Sequence, residues 1–284
     1  MINVELIIVG VLLGGTYAAI SLGLSLVFGV LKLINMAHGY FALLSAYLAY
    51  AFLTHLSVDP FMVLPLSALL LFGVGYVLQR KALNYLTKIS PDLFLIATFG
   101  IAALLENLFM LIFTPLSRAL ITPYSIGSIN LGGVNIPQSY LIGLIGGTLM
   151  VIFLQLLLDK TFVGLAIKAC SQDKVAATLM GLNPDSLYAF TMGLATSLAA
   201  VAGILMGLIF PFTPTTGTTF LIISFGAIVI GGLGSMLGTF VGGIVLGLAQ
   251  VMGGSYFGVG WSLFVGFILI LGFLLVRPKG LFGR

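Results

Sequence analysis

The stretch VLKLINMAHGYFALL, residues 30–44, sets Lys32, Asn35, His38 and Gly39 within an apolar run. Farther along, Glu106 and Asn107 fall near the middle of another apolar run, with Thr98 two turns earlier on about the same helical face. These residue types suit polar contact with a solute, or the satisfaction of backbone groups where a helix is interrupted. They do not suit bond-making. The chain has two histidines and one cysteine, Cys170, far apart in sequence, so no metal-ligand spacing forms and neither a metal nor another cofactor is expected. No G-x-x-x-x-G-K-[ST] occurs, so no P-loop is carried. The glycine-rich GGLGSMLG (231–238) departs from dinucleotide spacing and reads as a helix break or tight turn. Without a catalytic cluster, an enzyme is disfavoured.

The elements holding these residues must be built for lipid. Of 284 residues, 60% are hydrophobic and 6% charged, with a mean hydropathy of +1.25. A soluble domain carries about 25% charged residues. Membrane-spanning helices need roughly 20 mostly apolar residues each. Polar breaks divide the chain into spans near 5–28, 33–54, 60–79, 92–113, 139–158, 187–209, 219–232, 237–252 and 260–276. The expected fold is an all-α polytopic bundle of eight or nine spans forming one domain over 1–284. The spans 219–232 and 237–252 are short for a straight crossing and read as half-helices or re-entrant pieces. A weak internal repeat lays Thr16, Ile20, Ser21, Gly23 and Gly29 over Thr219, Ile223, Ser224, Gly226 and Gly232. Small-xxx-small pairs such as Gly10/Gly14 and Gly243/Gly247 predict closely packed helices.

Alternating the spans across the bilayer collects every Lys and Arg except Arg118 on one side. By the positive-inside rule that side is cytoplasmic, which puts the N-terminus outside and the C-terminus inside. No basic residue precedes the first apolar run, since the first lysine is Lys32, so no cleavable signal sequence is expected. The long external loop, 114–138, has a Gly-Gly pair between SIN and VNI and reads as a hairpin or an irregular cap.

Two readings fit 30–40. It is an interrupted helix pair beside a transport path, its freed backbone groups satisfied by protein, or a short cytoplasmic turn with Asn35 as N-cap. Glu106 likewise either lines a path or is a hydrogen-bonded packing residue. The largest inside loop, 159–186, predicts a short helix started by Ser171 or Asp173 and stopped by Gly181 and Pro184. Val175, Ala176, Leu179 and Met180 share one face, which lies in the lipid interface or fills a groove on a soluble partner.

Four stretches together resemble the LivH-type permeases of branched-chain amino acid ABC importers. They are 23–50, 164–184, 231–248 and the tail RPKGLFGR (277–284). The family's IN-x-AHG matches Asn35, Ala37, His38 and Gly39. Its loop pattern matches Ala176, Ala177, Met180, Gly181 and Asn183, and with Leu179 these are the ATPase-coupling candidates. The resemblance implies a multi-pass subunit of a prokaryotic plasma or inner membrane, paired with a second homologous permease as a heterodimer. It further implies two cytoplasmic ATPase subunits, an external substrate-binding protein and surrounding lipid, with no nucleic acid. Loop 159–186 would be the ATPase-coupling loop, and 30–40 would take its pathway reading, with Glu106, Asn107 and Thr98 as further pathway candidates. Related permeases carry urea or short-chain amides. A self-contained secondary carrier is the competing class, and it would have only Glu106 as a mid-span carboxylate.

Overall fold

A computed structural model describes residues 4–131, 134–277 and 279–283. Long apolar helices dominate it. They are α1 (Val4–Leu31), α2 (His38–Leu56), α3 (Pro60–Leu78), α4 (Asn84–Ile89), α5 (Pro91–Phe113), α6 (Pro123–Ile126), α7 (Gln138–Lys160), α8 (Phe162–Gln172), α9 (Lys174–Leu179), α10 (Pro184–Ile209), α11 (Thr216–Gly231), α12 (Met236–Phe257) and α13 (Ser262–Val276). Among the described residues, eight helical stretches are long and apolar enough to cross a membrane, and α11 is a shorter apolar helix beside them. The span expected at 237–252 is longer than its sequence limits, because α12 starts at the Ser235 cap and runs to Phe257.

α1 and α10 form the buried centre, with α2, α7 and α12 around them. α3, α5 and α13 lie outermost and leave most of their apolar surface exposed. Glycine lets the central helices touch backbone to backbone. A Cβ on Gly14 would collide with the Ile244 backbone, and one on Gly247 would sit 2.5 Å from Gly14 N. The Gly10/Gly14 and Gly243/Gly247 pairs therefore interlock α1 with α12, which is the close approach their spacing predicts.

The break expected at Arg80 and Lys81 is helical instead. α3 passes through a π turn, Gln79–Leu83, into α4. No Pro or Gly falls between Gly75 and Ser90-Pro91. The buried Gln79 and Asn84 side chains bond each other at 2.9 Å, and Asn84 reaches Asp185 O at 2.8 Å. Lys88 pairs with Asp185 at 2.5 Å and Arg80 bonds Ser186, tying this extension to the start of α10. The end of the bundle that holds these groups also gathers Lys32, Lys168 and Phe282 around one cleft.

At the opposite end, β1 (Ser128–Leu131) and β2 (Val134–Pro137) form an antiparallel hairpin, with Ile129 opposite Ile136. Its Gly-Gly tip lies outside the described residues. Tyr124 donates to both Asp59 oxygens at 3.0 Å, and burial together with this carboxylate pushes its pKa up to about 12. Arg118 is held by two backbone bonds to Phe212 of 2.8 Å and lies 5.4 Å over the Tyr50 ring. In the aligned repeat segments, Gly232 (φ +108°) ends α11 while Gly29 stays inside α1, whose break comes at Lys32 (φ 60°).

Candidate functional site

α1 and α2 do not join by a surface turn. After Lys32 the chain leaves the helix and runs back into the protein, and α2 begins at His38 against Ile20 of α1. Ile20 is about 24 Å along α1 from Val4 at 1.5 Å per residue, near the middle of the helix. Residues 33–37 are thus non-helical backbone at membrane depth, tolerated only where protein satisfies the polar groups. Asn35 does much of this. Its Oδ1 accepts from Ala37 N at 3.0 Å, its carbonyl accepts from His38 N at 3.2 Å, and its Nδ2 reaches Met192 Sδ at 3.5 Å. Met36 N donates to Thr98 Oγ1 on α5 at 3.2 Å.

His38 is fully buried, and its Nε2 lies 2.8 Å from Ile20 O. A carbonyl only accepts, so Nε2 carries a proton. Nδ1 has no partner among the described residues. Ser224 of α11 donates to the same Ile20 carbonyl at 3.3 Å. Gly39 serves close approach rather than bending. A Cβ there would collide with Gly217 O and sit 2.7 Å from Leu221 N, so the first turns of α2 and α11 are in backbone contact. Two helix N-termini therefore meet inside the bundle, α2 running one way and α11 the other.

Just beyond, Tyr40 of α2 donates its hydroxyl to Glu106 of α5 and lies 2.8 Å from Thr218 Oγ1 of α11. Since the tyrosine proton goes to the carboxylate, Thr218 donates to Tyr40. Glu106 is partly exposed and Thr218 exposed. A charged side chain at a helix centre in lipid costs about 2.5–3.5 kcal/mol on insertion scales. Asn107 is exposed and, among the described residues, bonds only back to Ala103 O, at 2.8 Å. The structure so brings Asn35, His38, Gly39, Thr98 and Glu106 into one region, and leaves Asn107 beside it, facing outward.

The loop 159–186 lies apart from this region. It forms two helices rather than one, because the Asp173 carboxylate stops α8 and caps α9 at Val175 N (2.8 Å) and Ala176 N (3.0 Å). Val175, Ala176, Leu179 and Met180 share an exposed face, while Ala177 turns inward and is buried. Gly181 (φ +83°) closes the helix, with Leu182 N bonding Ala177 O at 3.1 Å. Asn183 caps α10 through Ser186 N at 3.2 Å. Of the six residues read as coupling residues, Ala176, Leu179 and Met180 form a surface, Gly181 and Asn183 shape the turn, and Ala177 anchors it. Cys170 is buried beneath, which pushes its thiol pKa up against the opposing pull of Lys174.

Residues 6–274 match the protein family described as the branched-chain amino acid transport system / permease component. The chain belongs to that family. It is 31% identical to the high-affinity branched-chain amino acid transport system permease protein BraD of Pseudomonas aeruginosa, covering 97% of this chain and 94% of BraD. It is 29% identical to LivH of Escherichia coli with the same coverage. It is also 27% identical to a probable LivH of Methanocaldococcus jannaschii, over 93% of this chain and 87% of that one. No solved structure gives a significant match.

Sequence reasoning missed Tyr40 and Thr218 in this permease. Tyr40 sits two residues past His38 in a segment already singled out, and an aromatic hydroxyl in an apolar run was available as a signal. Thr218 lies in PFTPTTGTT (211–219), whose density of hydroxyls before a short apolar helix marks a polar start to that helix.

Proposed function

We propose that this permease is one of two membrane subunits forming the translocation path of an ATP-driven importer for branched-chain amino acids. Its N-terminus faces outward and its C-terminus inward, in a prokaryotic plasma or inner membrane. The observation that carries this reading is likeness along 97% of the chain to permeases named for branched-chain amino acid transport. The interrupted helix α1–α2 and the inward start of α11 support it, because transporters build solute sites from discontinuous helices near the bilayer midplane. Asn35, His38, Gly39 and Thr98 hold that interruption, and Glu106 faces the path from α5.

The exposed face Val175–Met180 is the contact for a cytoplasmic ATPase. The second permease, a homologue, covers the exposed polar residues of α5 and α11, and an external binding protein delivers the solute. Proteoliposomes holding this chain, its partner permease and two ATPases are expected to take up leucine only with binding protein and ATP. Uptake of urea or an amide in place of leucine would move the substrate to the related class. Uptake driven by an ion gradient without ATP would replace the importer with a secondary carrier.

A further inference from the structure

The Glu106 carboxylate is balanced on one side only. Tyr40 bonds its Oε2, and among the described residues nothing bonds its Oε1. Neither ion pair among the described residues involves it: those are Lys88–Asp185 and Lys168–Asp159, both at the basic end of the bundle. A carboxylate at membrane depth faces a wet cavity or a counter-charge, and among the described residues no ion pair supplies a counter-charge. Around it, α2 lies between α5 and α11, with Glu106 on one side, Thr218 on the other and Tyr40 bridging them. Leu44 follows Tyr40 one turn on, on the same face of α2, and is half-buried. One turn is about 5.4 Å, comparable to the reach of a leucine side chain from its own ammonium group.

We infer that Glu106, oriented by the Thr218–Tyr40 hydrogen-bond chain, receives the ammonium group of the passing amino acid, while Leu44, one turn on from Tyr40, receives its branched side chain. The inference rests on the proposed importer reading and names the site within it. A primary ammonium from a lipid headgroup does not compete, because headgroups lie about 15 Å from the centre of a hydrocarbon core about 30 Å thick. The site explains why a tyrosine rather than a cation pairs with Glu106. A fixed Lys or Arg would neutralise the carboxylate permanently, whereas a hydroxyl positions one oxygen and leaves the other for the solute.

The test uses the full complex in proteoliposomes, with leucine uptake and labelling by a leucine analogue carrying a side-chain diazirine. Glu106→Gln is expected to lower leucine uptake at least tenfold while the second permease still co-purifies in normal amount. Glu106→Asp should restore part of the rate. In the wild type the diazirine should label the α2 segment holding Leu44, and Glu106→Gln should abolish that labelling. Uptake by Glu106→Gln within twofold of wild type, or labelling confined to other segments, overturns the site and leaves the importer reading standing. Loss of the second permease from purified Glu106→Gln complexes would assign the carboxylate to a cation on the partner and also overturn it. A wild-type complex that carries no leucine overturns both.

Discussion

Asn35 and Gly39 hold the same break by opposite means, and substitution separates them. Asn35→Leu removes the acceptor for Ala37 N in a region where water cannot replace it. Leaving that donor unpaired costs about 1–3 kcal/mol. Gly39→Ala removes no bond but drives a methyl group into the Gly217 carbonyl. Overpacking of this kind costs about 1–3 kcal/mol and forces backbone movement. Both variants are expected to insert and to lose thermal stability in detergent. Gly39→Ala should also lower uptake more than Asn35→Leu, because it alone pushes α2 away from α11. Equal uptake in the two would remove the α2–α11 contact from the transport argument. Sequence made the motif visible but not this distinction. A glycine after a histidine reads equally as a hinge or as a contact, and only the partner helix, 178 residues on at Thr218 from Tyr40, decides.

At the scale of elements, local signals were legible. Asp173, one of the two starts expected for the loop helix, caps it, and Pro184, expected only as its stop, also opens α10 behind the Asn183 cap. The hairpin's strands form on either side of the Gly-Gly pair. Charge alone does not mark a break: Arg80 and Lys81, where one is expected, lie within continuous helix because Gln79 and Asn84 find partners and no breaker intervenes. The short helix α9 offers a clean test of its cap. Gly181 has open space around it, so its requirement is conformational alone. Gly181→Ala should cost about 1–2 kcal/mol in the left-handed region, fraying α9 and lowering the affinity of the ATPase for this permease severalfold. Gly181→Asn should be tolerated, since asparagine also closes helices in that conformation. A pull-down against the ATPase compares them, and equal retention by both variants would exclude a need for an ordered α9.

Across the whole molecule, the contacts that build the interior join its two halves. Asn35 reaches Met192, Ser45 bonds Ala200 O at 2.7 Å, and Thr239 bonds Ser25 at 2.8 Å. Such pairings have no local periodicity, which is why the spans could be read from sequence and their arrangement could not. The non-helical stretch 33–37 carries this dependence into the protein's synthesis. Its partner Met192 lies 157 residues downstream, so at roughly 5–20 residues per second the ribosome delivers it about 8–30 s later. During that interval the newborn stretch has polar backbone and no final home, and it must wait beside the insertion machinery or in contact with water. A chain ending at Asn183, before α10, should leave Ala37→Cys open to a membrane-impermeant maleimide, while the same cysteine in the full-length protein should be protected. Equal protection in both would mean that α1 and α2 close on their own. Otherwise the N-terminal half of this permease is born incomplete, and a ribosome stalled between the halves strands a substrate for quality-control proteolysis.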